Sequence, residues 1–313
     1  MIKLNKTSKG AFFGLALAFT LSLGVSLASC ASFSEFTSTA AMLAGDTGLI
    51  DKNVATSISA SSEAIGKAAE AITPDQEYYI GRAVAANLCS RYSYYSAPEL
   101  QKYLNEICQT LVVNSDATSA FRGFHVGILN TSQLNAFATS GGHILVTKGL
   151  LSKVNSEDEI AAVLAHEVSH VQLRHSISAI KSSRATNAIL QTAGAAAVVY
   201  TSGDKMTAEL VGALDETVGD IVSKLVDSGF SQSQEFAADK NALALLSAAG
   251  YDPRAMDSML KMLQKNVKGK SGFGKTHPKP EARIKKLKKL YSKYETCKTK
   301  DARKGRFSKN KLK

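Results

Sequence analysis

The sequence predicts an α+β fold, mostly helical, with one small three-stranded sheet. Three observations predict it. After residue 73 most of the chain shows apolar residues at helical spacing behind clear helix-start signals. Three short runs between Phe124 and Thr147 have the turn-bounded character of strands. A helix carrying a His-Glu-x-x-His pattern follows them. The 313 residues amount to one large domain or two small ones, enough to bury a core without disulfides. Hydrophobic residues make up 44% and charged residues 21%, both ordinary for a globular chain.

Residues 1–29 read as an export signal. Lys3, Lys6 and Lys9 form a positive start, and the 17 residues from Ala11 to Leu27 carry no charge. Leu27-Ala28-Ser29-Cys30 closes it and resembles the bacterial lipobox. That resemblance implies diacylglycerol on the Cys30 sulfur, cleavage before Cys30, and a further acyl chain on the new amine. More than one chain makes the anchor stable, since each buried methylene adds about 0.8 kcal/mol. A plain transmembrane anchor is the alternative. Ala31 leans toward the outer membrane in a Gram-negative host. With Cys30 lipidated, Cys89, Cys108 and Cys297 remain; an oxidising compartment permits one disulfide, and the three pairings stay open.

Residues 30–73, rich in Ser, Thr and Ala, read as a tether with nascent helix near Ser57–Ile72. The segment 74–295 reads as the folded domain. Pro74 opens a helix to about Ser90, with Asp75 and Glu77 in its first turn, and Pro98 opens another to about Val113. Strands are expected at Phe124–Leu129, Asn135–Thr139 and His143–Thr147, with Gly141-Gly142 as the turn before the last. Ser156 and Glu159 have the spacing of a capping box, and the helix they start should run to about His175. Residues 177–230 read as buried or amphipathic helices with a loop at Ser202-Gly203-Asp204; apolar Ala188–Tyr200 is too short for a bilayer. Ser231 caps a helix ended by Gly250, and Pro253 begins another. Gly269–Gly274 is a glycine-rich loop before Thr276-His277-Pro278.

The net charge of +11 is concentrated near one end: 13 Lys or Arg stand against Glu295 and Asp301 between Lys285 and Lys313. In the basic helix Arg283–Leu290, Ile284, Leu287 and Leu290 make a packing stripe, so docking is its first reading and lipid binding its second. Residues 296–313 read as a solvated, partly disordered basic tail, with contact to anionic lipid as its functional reading. The export signal argues against nucleic acid as a partner.

His166-Glu167-Val168-Ser169-His170 carries the chemistry. Positions i and i+4 share a helix face, so both imidazoles can hold one zinc ion, while Glu167 can take the proton of a water. Catalytic zinc wants a third protein ligand, and Glu235, in Glu235-Phe236-Ala237-Ala238-Asp239, is the candidate. Asp239, one turn on, can hydrogen-bond the far nitrogen of a ligand histidine. His143 reads first as a surface strand residue, with a pocket residue as the alternative, and His125 and His175 have no identifiable partner.

Together these residues resemble the gluzincin metallopeptidases, in the family of the prenyl-protein endopeptidases and their soluble bacterial relatives. The matching pieces are Asn135-Ala136-Phe137-Ala138, Gly141-Gly142-His143-Ile144, the two zinc motifs, and Thr276-His277-Pro278 with Arg283-Ile284, in the family's order. The resemblance implies a zincin-type domain with one Zn2+ per chain, His277 at the active site and Arg283 behind the ligands. A peptide would add as a strand along Asn135, Ala136, Phe137 and Ala138, a mode that suits extended or unfolded chains. The chain departs from the membrane-embedded members in lacking several spanning segments, and from some periplasmic members in lacking helical repeats. It looks like the compact lipoprotein branch associated with envelope protein quality control. The expected function is a lipid-anchored zinc endopeptidase at the periplasmic face of the outer membrane, acting on unfolded or misassembled proteins. The alternative is an envelope chaperone or assembly factor with latent protease activity.

Overall fold

The structure is a computed structural model and describes residues 39–48, 52, 73–115, 120–177, 218–219, 221–266, 277, 279–294 and 300–312. The chain divides into two compact units, Met1–Ala71 and Ile72–Lys313. In the first, residues 39–46 are helical. The export signal, Cys30, the expected helix near Ser57–Ile72, Ala188–Tyr200, the loop at Ser202-Gly203-Asp204, Gly269–Gly274 and Cys297 lie outside the described residues.

The second unit begins with α1 (Pro74–Tyr92), capped by Thr73 and Gln76 in a reciprocal pair with Pro74 in the first turn. Helix α2 (Pro98–Val113) buries Leu100, Leu104, Ile107 and Leu111 on one stripe. Strands β1 (His125–Leu129), β2 (Ala136–Ala138) and β3 (His143–Thr147) form a sheet in the order β1-β3-β2. β3 is central, parallel to β1 and antiparallel to β2, which leaves β2 at an edge. Helix α1 lies on the turn before β3. Gly81 touches that turn so closely that an added Cβ would fall 1.5 Å from the Ser140 carbonyl oxygen, and Gly141 adopts φ 75° there.

After the short α3 (Lys148–Leu151), α4 (Glu157–Gln172) runs through the middle of the unit, buried continuously from Glu159 to His170. Ser156 caps it by accepting from the Glu159 N–H, but Glu159 reaches back to the Asn155 N–H (2.7 Å), so the expected reciprocal box is shifted by one residue. The helix stops three residues short of His175, where Arg174 turns into the left-handed region (φ 53°).

Residues 224–228 form a π-helical turn. Ser231 and Gln234 cap α5 (Gln232–Ala248), and Gly250, at φ 76°, follows its end as expected. Helices α6 (Ala255–Asn266) and α7 (Pro280–Leu287) follow, α7 burying Arg283, Ile284 and Leu287 while its lysines stay exposed.

The expectation of a solvated tail after residue 295 is corrected by α8 (Lys300–Asn310). Its Arg303 donates to Asp158 (3.0 Å) and to the Gly250 carbonyl (3.1 Å), its Arg306 donates to Glu157 at 2.5 and 3.0 Å, and Phe307 is buried. Glu157, 1% exposed, also accepts from the hydroxyls of Tyr103 and Tyr251. Arg303 and Arg306 serve as partners for acids at the start of α4, while Lys304 and Lys309 stay exposed. Cys89 and Cys108 are both free thiols; burial pushes the Cys108 thiol up to about 12. Among the described residues no helix is long and apolar enough to cross a membrane.

Candidate metal centre

Helical spacing on α4 brings His166 and His170 together, with their Nε2 atoms 3.1 Å apart. Helix α5 crosses α4 and delivers Glu235, whose two carboxylate oxygens each lie 3.5 Å from one of those Nε2 atoms. His277 Nδ1 is 2.7 Å from Glu235 Oε1. One ligating atom from each of these four residues falls within 4.8 Å of the others, and all four side chains are buried.

The opposite nitrogens are held from behind. His166 Nδ1 lies 3.0 Å from Asp239 Oδ1. Asp239 in turn accepts two bonds from the fully buried Arg283, at 2.6 and 2.8 Å. His170 Nδ1 lies 2.9 Å from His175 Nδ1, and Phe230 stacks on the His170 ring at 4.2 Å. Glu167 borders a small pocket with Ala136, Phe137 and Ala138 of β2, Leu225, Gly229, Phe230 and His277.

The electrostatics fit a cation. Burial opposes charge on His166, yet the Asp239 and Glu235 carboxylates outweigh it and hold its pKa up at about 9. Burial likewise works against the Glu235 carboxylate, but His277 and His166 hold its pKa well below the usual range. Burial also penalises charge on Asp239, and Arg283 overrides that and brings it down to about 2. For His170, burial and the neighbouring His166 depress the pKa strongly, which favours the neutral, ligating form. Burial raises the Glu167 carboxyl, and its Oε1 is a buried oxygen without a hydrogen-bond partner among the described residues. Two imidazoles and a carboxylate beside such an orphaned acid suit a catalytic zinc, which takes three N/O ligands and keeps a position open.

The structure thus gathers His166, Glu167, His170, Glu235, Asp239, His277 and Arg283 into one cluster, with Ala136, Phe137 and Ala138 beside it. Asn135 is buried but is not part of the pocket lining; its side chain accepts from the Ala136 N–H. His143, expected at the surface, is half-buried against Tyr78 and His125, and burial lowers its pKa to about 4. Sequence reasoning missed His175 and Phe230. Five residues separate His175 from His170, which is not a same-face spacing on a helix, so only the helix break at Arg174 could have flagged it.

A buried helix that presents two histidines with a carboxylic base beside the first, answered by a carboxylate from a second helix, places this domain among the metallopeptidases of the zincin type. The chain belongs to peptidase family M48, whose model matches residues 98–291 and so spans every residue of the cluster. A beta-barrel assembly-enhancing protease of Yersinia pestis is 29% identical over 226 residues, covering 70% of this chain and 45% of that protein. The mitochondrial metalloendopeptidase OMA1 of Arabidopsis thaliana is 32% identical over 174 residues, 55% of this chain and 33% of that protein. Metalloprotease LoiP of Escherichia coli is 31% identical over 147 residues, 46% of this chain and 54% of that protein. The chain therefore spans about half or less of the length of these relatives.

Proposed function

We propose that this chain is a zinc-dependent endopeptidase of the bacterial cell envelope that cleaves unfolded or misassembled proteins. The observation that carries the reading is the buried cluster of His166, His170 and Glu235 with Glu167 beside it, opening on a pocket bordered by the edge strand β2. Relatives named as proteases and metalloendopeptidases support it.

His166, His170 and Glu235 would hold one zinc ion per chain. A zinc ion bound there would supply a lowered pKa for a water and polarisation of a peptide carbonyl. Glu167 takes the proton of the attacking water and returns it to the leaving amine nitrogen. Asp239 and Arg283 fix the His166 ring. An extended peptide would add along β2, using backbone hydrogen bonds that carry little sequence preference.

His277 has two physically distinct roles open to it. As a donor to the oxyanion it would raise turnover; as a fourth ligand it would hold a resting enzyme inactive. We favour the donor role in the working state. His277→Ala should then lower turnover by roughly 10²–10³ with zinc retained. A rise in turnover would assign the inhibitory role, and no change would remove His277 from the site.

The lipidated Cys30 would tether the domain to the membrane, at the periplasmic face of the outer membrane in a Gram-negative host. The exposed lysines of residues 285–293 would meet anionic lipid. Purified mature protein should degrade unfolded casein, with activity lost to a chelator and restored by zinc. Casein protected from aggregation but left uncut would instead support an assembly factor or chaperone, a reading to which the name of the Yersinia relative also lends weight.

A further inference from the structure

We propose that His175 is a positioning residue for the metal centre: its Nδ1 accepts the hydrogen bond that fixes the His170 ring and leaves His170 Nε2 bare toward the cluster. The inference rests on the metallopeptidase reading.

Both imidazoles of α4 are organised alike. Each turns Nε2 toward Glu235 and Nδ1 outward. His166 Nδ1 meets Asp239, which was expected from the sequence. His170 Nδ1 meets not a carboxylate but a second imidazole nitrogen, at 2.9 Å. Only one of two facing ring nitrogens can carry the hydrogen. If His170 is to offer the Nε2 lone pair to a cation, its Nδ1 must donate, and His175 must be the Nε2–H tautomer that accepts. A neutral acceptor sets the tautomer without adding to Glu167, Glu235 and Asp239 a further buried negative charge, which would need its own partner.

The backbone bends to make this contact. Position i+5 on a continuous α4 would point away from His170. The helix instead ends at Gln172, and Arg174 takes φ 53°, a conformation that disfavours a side-chain-bearing residue by about 1–2 kcal/mol. Arg174 pairs with Glu77 of α1, and Ser176, on the other side of His175, donates to the Ala138 carbonyl of β2 (3.2 Å). His175 is thus returned to the cluster by a turn that is tied to α1 on one side and to β2 on the other. It is 6% exposed, and Phe230 flanks both rings, 4.2 Å from that of His170 and 5.8 Å from that of His175.

The test compares zinc affinity, by competition with a chromophoric chelator, in mature wild-type protein and two variants. His175→Leu keeps the bulk and removes the acceptor; His175→Asn puts an amide oxygen near the position of Nδ1. The Leu variant should bind zinc about 10–100-fold more weakly. Its cobalt(II) form should show an altered visible spectrum, and the Asn variant should recover both properties. Wild-type affinity in His175→Leu, or equal losses in both variants, would overturn the proposal. In zinc-loaded wild-type protein labelled with 15N-histidine, His175 should carry its proton on Nε2. The opposite tautomer would overturn the proposal even if the Leu variant failed to fold. Wild-type protein that bound no zinc would sink the metallopeptidase reading and this one together.

Discussion

Replacing Glu167 by Gln removes one proton acceptor and spares both imidazoles. Zinc content should stay at one per chain while casein turnover falls by at least roughly 10², and near-normal turnover would refute the assigned base. Asp239→Asn acts differently, because it leaves the fully buried Arg283 without its main counter-charge. A loss of about 3–5 kcal/mol in urea unfolding is expected. His143 supplies a pH effect away from the metal. Its folded pKa of about 4 lies below its ordinary 6.5, so its contribution is present above pH 6.5 and is lost as pH falls toward 4. At about 1.4 kcal/mol per unit that is about 3 kcal/mol at most, and His143→Asn should flatten the acid limb of the stability profile by up to that amount. His166, Glu167, His170, Glu235 and Asp239 were legible because each sits in a motif whose spacing matches its helix, whereas His277 and Arg283 were expected only from the family resemblance. His175 was not, since its role depends on a backbone turn at Arg174 that nothing in the local sequence announces.

Helix starts were legible to within a residue or two where a proline opened the helix, as at Pro74, or a capping serine stood before it, as at Ser156 and Ser231. The packing of α1 was not, because a lone glycine inside a helix has several explanations. Gly81 is there for a backbone-to-backbone contact. Gly81→Ala should push α1 away from the turn at Ser140–Gly142 and destabilise the fold by about 1–3 kcal/mol or more, measurable as a lowered urea midpoint. Helix α8 escaped the sequence reading for another reason. Phe307 is its one large apolar anchor, and the acids it meets lie about 150 positions upstream. Phe307→Ala should remove about 3–5 kcal/mol and speed amide exchange in the first turns of α4, whereas a solvated tail would leave both unchanged.

At the scale of the whole domain, the cluster joins α4, α5, α7 and His277. A bound metal would stabilise the native state by about 3–4 kcal/mol when present at 100 to 1,000 times its dissociation constant. Chelation should therefore lower the melting temperature, and a Glu235→Ala variant should show a reduced chelator effect. The mixed three-stranded sheet was readable in outline from the sequence, but the arrangement of the helices around α4 was not, because it depends on contacts between segments far apart in the chain.

The latch on Glu157 also orders events in time. A chain made from its first residue onward exposes α4 long before position 306 exists, yet the buried Glu157 depends on Arg306 for its cationic partner. The start of the helix that carries His166 and His170 therefore gains this cationic partner only once position 306 has been made. A chain that stops short of position 306 should therefore exchange the amides at the start of α4 faster than the full chain.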